Sequence, residues 1–175
     1  MTLYHVTRRI GIDAGHRIRT HGSKCRNLHG HRYEIEATCA APQPHAGGEQ
    51  DGMVIDFGFL KEEMLEVIDA ACDHGFIAEL ADDAVLEMLC PADAGFLDWK
   101  ARIADAVGAD GYALTHETRL GTKLYVIAST PTAEALAAHW FSRLAPRVAA
   151  RSGGLARLVN LRVWETPNCH ADYSA

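Results

Sequence analysis

Positive charge is in short supply in this chain. Its 175 residues carry 17 Lys and Arg against 23 Asp and Glu, a formal net charge of −6. A phosphate backbone selects a basic surface, so nucleic acid is not an expected partner. No run of about 18 apolar residues occurs, which excludes an evident membrane span. The start, Met1-Thr2-Leu3-Tyr4-His5-Val6, lacks the charged-then-apolar layout of a secretory signal. Cysteines number five, Cys25, Cys39, Cys72, Cys90 and Cys169, and none forms a C-x-x-C pair. An odd count without an export signal points to free thiols in the cytoplasm rather than a disulfide framework. It also argues against a structural zinc site built from four cysteines. Internal repeats and low-complexity tracts are missing too. What remains is an ordinary globular composition, 48% hydrophobic and 23% charged, at a length suited to one domain with a real core.

The chain begins with strand signals. Leu3 to Ile12 mixes β-branched and aromatic residues in rough alternation, and Gly15 ends the pattern with His16 at the exit. A polar, basic loop from Arg17 to Asn27 follows, carrying Lys24 and Cys25. From His31 to Ala40 alternation resumes, with Tyr33, Ile35 and Ala37 on one side. This predicts a second strand, antiparallel to the first. A helix is expected after Asp56, its N-cap, with Leu60, Met64, Val67, Ile68 and Ala71 on one face and Gly75 as the left-handed stop.

The segment 76–129 is less regular. Helical patterns cover Ala78 to Leu89 and Phe96 to Val107, Gly108 to Gly111 reads as a turn, and Leu124 to Ala128 as a short strand. Thr130 and Pro131 fit the N-cap and first position of another helix, with Leu136, Trp140, Leu144 and Val148 on its apolar face. Two closing strands are expected from Ala156 to Glu165 and from Cys169 to Tyr173. The order of elements predicts an α+β architecture: an antiparallel sheet covered on one face by two helices, with an insertion at about 76–129. Such an open sheet has edges to manage, and association of several copies is one solution.

Chemistry concentrates around Cys25-Arg26-Asn27-Leu28-His29-Gly30-His31. Residues two apart on a strand share a face, so His29 and His31 project together. With His16 they form an H-x12-H-x-H pattern. Three neutral imidazoles leave a tetrahedral zinc one open position, the layout of a catalytic site. Ten histidines also guarantee chance pairs, and H-x-H alone is weak. Cys25, flanked by Lys24 and Arg26, is open to four readings: fourth ligand, nucleophile, proton carrier or inert thiol. Asp73-His74 reads either as an acid/base pair or as capping at a helix end. Glu165, at the end of an apolar strand, is either a surface carboxylate or an anchor for a guanidine-like ligand edge.

Taken together, Ala14-Gly15-His16 and Lys24 to His31 resemble the 6-pyruvoyl-tetrahydropterin synthase family, which includes 6-carboxytetrahydropterin synthase. The likeness continues through Met53-Val54-Ile55-Asp56-Phe57, Asp73-His74, Pro131-Thr132-Ala133-Glu134 and Trp164-Glu165-Thr166. It implies the tunnelling or T-fold, with a four-stranded antiparallel sheet and two helices on one face, extended here by a largely helical insertion. It implies zinc on His16, His29 and His31, with Cys25, Asp73 and His74 as the proton-transfer residues. Glu165, Thr132 and Glu134 would hold the pterin. It also implies a homo-oligomer of trimers stacked into hexamers.

The expected substrate is 7,8-dihydroneopterin triphosphate. The expected reaction forms 6-carboxy-5,6,7,8-tetrahydropterin on the queuosine route. The 6-pyruvoyl reaction and a non-catalytic pterin-binding module are the alternatives. Arg17, Arg19, Lys24 and Arg26 are candidates to meet the triphosphate. The chain departs from the family in the length of the segment after His74, which puts the usual substrate in question.

Overall fold

A computed structural model describes residues 2–175. The elements run β1 (Tyr4–His16), a single 3-10 turn (Lys24–Arg26), β2 (His29–Ala41), α1, β3 (Gly75–Glu79), α2 (Asp83–Leu89), α3 (Phe96–Asp110), β4 (Tyr112–Thr115), β5 (Leu124–Ile127), α4 (Ala133–Arg151), β6 (Arg157–Thr166) and β7 (Cys169–Ser174). Helix α1 starts as an α-helix over Phe57–Met64, passes through a π-helical stretch at Leu65–Asp69 and closes over Ala70–Cys72. Among the described residues no helix is long and apolar enough to cross a membrane. The chain divides into two compact units that interleave in sequence. One comprises Met1–Gly11, Tyr33–Ala70 and Ala133–Ala175, the other Ile12–Arg32 and Ala71–Thr132.

In the first unit the hydrogen-bonded order is β1-β2-β6-β7. β2 pairs antiparallel with β6, and β6 with β7. The buried row Tyr33, Ile35, Ala37, Cys39 follows the period-2 alternation expected of a half-buried strand. In β6, Thr38 faces Asn160 but Cys39 faces Leu158. Val159 is therefore an extra residue, a bulge that lets both Leu158 and Leu161 turn inward. Helix α4 lies over β6 and β7 and packs against α1, burying Leu136, Trp140, Leu144 and Val148. Asp56 caps α1 as its sequence predicts, accepting from the Gly58 and Phe59 amides at 2.6 and 3.1 Å.

The second unit carries the order β4-β5-β3-β1. β3 runs parallel to both the end of β1 and β5, and β4 closes antiparallel on β5. Its core packs Val85, Leu86 and Leu89 of α2 and Trp99, Ile103 and Val107 of α3 with Leu124 and Val126. The segment 76–129 thus holds two helices, as its pattern predicts, and also strands β3 and β4, which the pattern does not reveal. Ile77, Ala78 and Glu79 are all buried, so β3 lacks alternation, and a short run buried on both sides looks the same as helix core.

Helix boundaries differ from expectation at four places. The helix expected from Ala78 starts at Asp83, because Ala78 and Glu79 belong to β3, and the helix expected to stop at Val107 runs through Gly108 to Asp110, with Gly111 as its left-handed stop. The other two lie at the end of α1 and the start of α4. The left-handed residue after α1 is His74, with φ 53°, and Gly75 instead opens β3. Gly75 is needed for space: a Cβ there would meet the Cys72 carbonyl at 3.1 Å and the Lys123 carbonyl at 3.2 Å. Helix α4 begins at Ala133, not at Pro131. The residues expected to start it are engaged elsewhere. The Thr130 hydroxyl donates to Glu79 at 3.0 Å, and the Pro131 carbonyl accepts from the His16 ring at 2.8 Å.

Candidate metal centre

The inward row of β1, Ile10, Ile12 and Ala14, ends in His16, which is 1% exposed. The inward row of β2 begins with His29 and His31 and continues into Tyr33. Strand periodicity alone therefore aims three imidazoles the same way. Their ring centroids stand 4.6, 5.2 and 5.0 Å apart, and one nitrogen of each lies within 4.8 Å of the others. This group could hold a metal ion. The two strands meet closely because Gly30 has no side chain. A Cβ there would fall 2.9 Å from the Ala14 carbonyl oxygen.

Ring orientation is set from behind. His16 Nδ1 is 2.8 Å from the Pro131 carbonyl and His29 Nδ1 is 2.8 Å from the Asn27 carbonyl. A carbonyl only accepts, so both Nδ1 atoms carry hydrogen and both Nε2 atoms keep their lone pairs. This is how metal-binding histidines are usually oriented. Burial lowers the His16 pKa from 6.5 to about 4 against the opposing pull of the Pro131 carbonyl, and the neighbouring His29 and His31 lower it further. The ring is neutral, as a ligand must be. Three imidazole donors at this spacing are a set that can bind a divalent metal ion.

Asp73 and His74 lie at the start of β3, in register with β1 through Ala14 opposite Gly75. Asp73 Oδ1 accepts from the Asp13 amide at 2.8 Å, and its Oδ2 sits 2.7 Å from His74 Nδ1. The Asp13 carbonyl takes the His74 amide at 2.7 Å, and Lys123 donates to the Asp73 carbonyl at 2.8 Å. Partial burial pulls the Asp73 carboxyl up, but the Asp13 amide and His74 outweigh it, so the group stays below the usual range. The His74 ring is 78% exposed on a left-handed backbone, a strained state that non-glycine residues adopt mainly where surrounding structure enforces it.

Cys25 is half-buried in the turn Lys24–Arg26. Its carbonyl accepts from the Ile18 amide at 2.7 Å, tying the turn to the residues just after His16. Thr132 is half-buried and Glu134 exposed in the first turn of α4. Glu165 is half-buried at a second β6 bulge, between Trp164, which faces His170, and Thr166, which faces Cys169. It has no opposing residue on β7, and such bulges re-aim a side chain.

Of the four basic candidates for a phosphate, two are committed elsewhere. Arg17 forks onto Asp82, with Nε to Oδ2 at 2.6 Å, and Arg19 onto Glu79, with Nε to Oε2 at 2.9 Å. Each pairing raises its guanidinium's pKa, led by the hydrogen bond to the acid. Glu79 and Asp82 had no signal in the sequence. Nothing local distinguishes them from the other acids of segment 76–129.

Comparison with known proteins identifies a family. The family model described as 6-pyruvoyl tetrahydropterin synthase matches residues 5–175. The chain belongs to that family. A 6-carboxy-5,6,7,8-tetrahydropterin synthase of Rickettsia felis is 33% identical over 166 residues, covering 95% of this chain and 96% of the relative. A Wolinella succinogenes protein of known structure, described as uncharacterized, aligns over 99% of both chains with a TM-score of 0.71 at 18% identity. The 6-pyruvoyl tetrahydropterin synthase of Plasmodium vivax aligns over 100% of this chain and 99% of its own with a TM-score of 0.61 at 16% identity. The fold is accordingly the T-fold, carried on a mixed sheet.

Proposed function

We propose that this protein is a zinc-dependent lyase. It converts 7,8-dihydroneopterin triphosphate and one water to 6-carboxy-5,6,7,8-tetrahydropterin, releasing triphosphate and acetaldehyde, in the cytoplasm and on the route to queuosine. The observation that carries the proposal is the pairing of two histidine environments: rings whose Nε2 atoms are freed by carbonyls at Nδ1, and His74, whose Nδ1 faces a carboxylate. The name of the Rickettsia felis relative supports the choice of product.

His16, His29 and His31 would hold the ion. A zinc ion held there would supply Lewis acidity, which makes a substrate C–H easier to deprotonate. The protein's own part is proton handling and positioning. With Nδ1–H given to Asp73, His74 has Nε2 available as a base, and the carboxylate stabilises the imidazolium that results. Cys25 carries the second proton, working from the turn that Ile18 secures. We assign Glu165 to the guanidine-like edge of the pterin, which a carboxylate meets with two parallel hydrogen bonds, and Thr132 and Glu134 to supporting contacts. Lys24 and Arg26 remain the basic candidates for the triphosphate. The active form is a homo-oligomer built from trimers.

Retention of the side chain, the 6-pyruvoyl reaction, is the second reading, favoured by the description of the matching family model. Incubation with dihydroneopterin triphosphate and product identification by mass separates them. The 6-carboxy product with acetaldehyde is expected. A 6-pyruvoyl product selects the second reading, and no product at all rejects both in favour of a pterin-binding module.

A further inference from the structure

The end of β1 is braced by two buried carboxylates from the segment after His74, and the brace reaches both His16 and Cys25. Asp82 and Glu79 are 4% and 8% exposed. Asp82 receives the fork of Arg17, the residue directly after His16. Glu79 receives the fork of Arg19 at 2.9 and 3.3 Å. The same Glu79 Oε2 accepts the Thr130 hydroxyl at 3.0 Å. Thr130 precedes Pro131, whose carbonyl sets the His16 ring at 2.8 Å. Ile18, between the two clasped arginines, donates its amide to the Cys25 carbonyl at 2.7 Å. Two acids thus reach the imidazole by its chain neighbour and by its ring partner, and reach the thiol's turn through one amide.

We propose that Glu79 and Asp82 are positioning residues for the site: they fix the ring of His16 and the placement of Cys25. The proposal deepens the reading of the site as a zinc-dependent lyase and gives segment 76–129 a role in it. Two arguments favour placement over mere stability. Forked Arg–carboxylate pairs restrict direction as well as distance, and here both directions lead into the loop between the ligands. Residues that orient metal ligands from behind also tune affinity, with losses of about 10–100-fold when removed.

The test uses the full chain loaded with zinc. Asp82 also caps α2, accepting from the Val85 amide. Asn caps as well as Asp, so Asp82→Asn removes the charge of the clasp and keeps the cap. Arg17→Ala, the double variant Asp82→Asn/Arg17→Ala, and Thr130→Val complete the set. Zinc affinity is read by competition with a chromophoric chelator. Alkylation of Cys25 by iodoacetamide is followed site by site by mass spectrometry, and kcat and KM are measured separately.

Asp82→Asn is expected to weaken zinc binding about 10-fold or more, to speed Cys25 alkylation, and to lower kcat with little change in KM. The double variant should lose no more than Arg17→Ala alone, as two members of one contact do. Thr130→Val, which leaves both arginine clasps intact, should weaken zinc binding without changing Cys25 alkylation. Parental zinc affinity and parental alkylation in both Asp82→Asn and Thr130→Val would overturn the proposal. If the parent has no turnover while affinity and alkylation respond as stated, the lyase reading fails and the positioning role stands.

Discussion

His16 ends β1 opposite Ile77, three residues beyond His74, which directly precedes β3, and each ring gives its Nδ1 side to an oxygen. The oxygens differ. His16 meets a neutral carbonyl and is 1% exposed. His74 meets a carboxylate and is 78% exposed. A carbonyl behind a buried ring fixes the tautomer but does little to stabilise a cation, so the ring stays neutral. Under the proposed function, the carboxylate beside the exposed ring would stabilise the imidazolium formed when a proton is taken up. Two histidine environments are thus separated by the choice of partner and by depth.

The strongest way to break this contrast is to remove a donor. His29→Ala should lower zinc affinity by more than about 100-fold, beyond the usual cost of losing a supporting residue, with secondary structure kept; metal analysis after dialysis reads it. Next, Asp73→Asn should lower turnover by about 100-fold or more while zinc content stays at the parental level. Equal loss of both would mean that His74 is tied to the metal centre and is no separate base.

The pH dependence of stability sharpens the same point. His16 and His139 both have pKa values lowered to about 4, first by burial; His29 and His31 add to this at His16 and Arg143 at His139. The unfolded chain takes up protons on these groups near 6.5 and the folded chain does not, so stability is full above about pH 6.5 and falls as the pH drops toward 4. Urea unfolding of the metal-free protein should show this, at up to about 3 kcal/mol per histidine, and His139→Gln should flatten the slope. The smallest effect concerns the His74 backbone. His74→Asn keeps a residue that tolerates φ 53°, so the melting temperature should move by no more than a few degrees while turnover falls.

What was legible in the sequence was periodic or locally chemical. The alternation of β1 and β2 delivers His16, His29 and His31 to one side, and Asp73-His74 meet as adjacent residues. The brace was hidden for the opposite reason: Arg17 to Asp82 and Arg19 to Glu79 span 65 and 60 residues, and exposed acids look the same on paper as buried ones. Strand β3 was hidden because burial on both sides erases alternation. The start of α4 was misplaced because Thr130 and Pro131, good initiators by type, have tertiary partners that outweigh local preference. The same partners that delay the helix orient the His16 ring.

Gly30 governs how closely the two histidine-bearing strands approach. The backbones at Ala14 and Gly30 touch where a single carbon would intervene, 2.9 Å from an oxygen. The approach of the two ligand-bearing strands is therefore limited by main chain against main chain, while the rings are oriented by their own partners. Alanine at position 30 would push β1 and β2 apart where the three histidines converge. A missing methyl group is the calliper for the site.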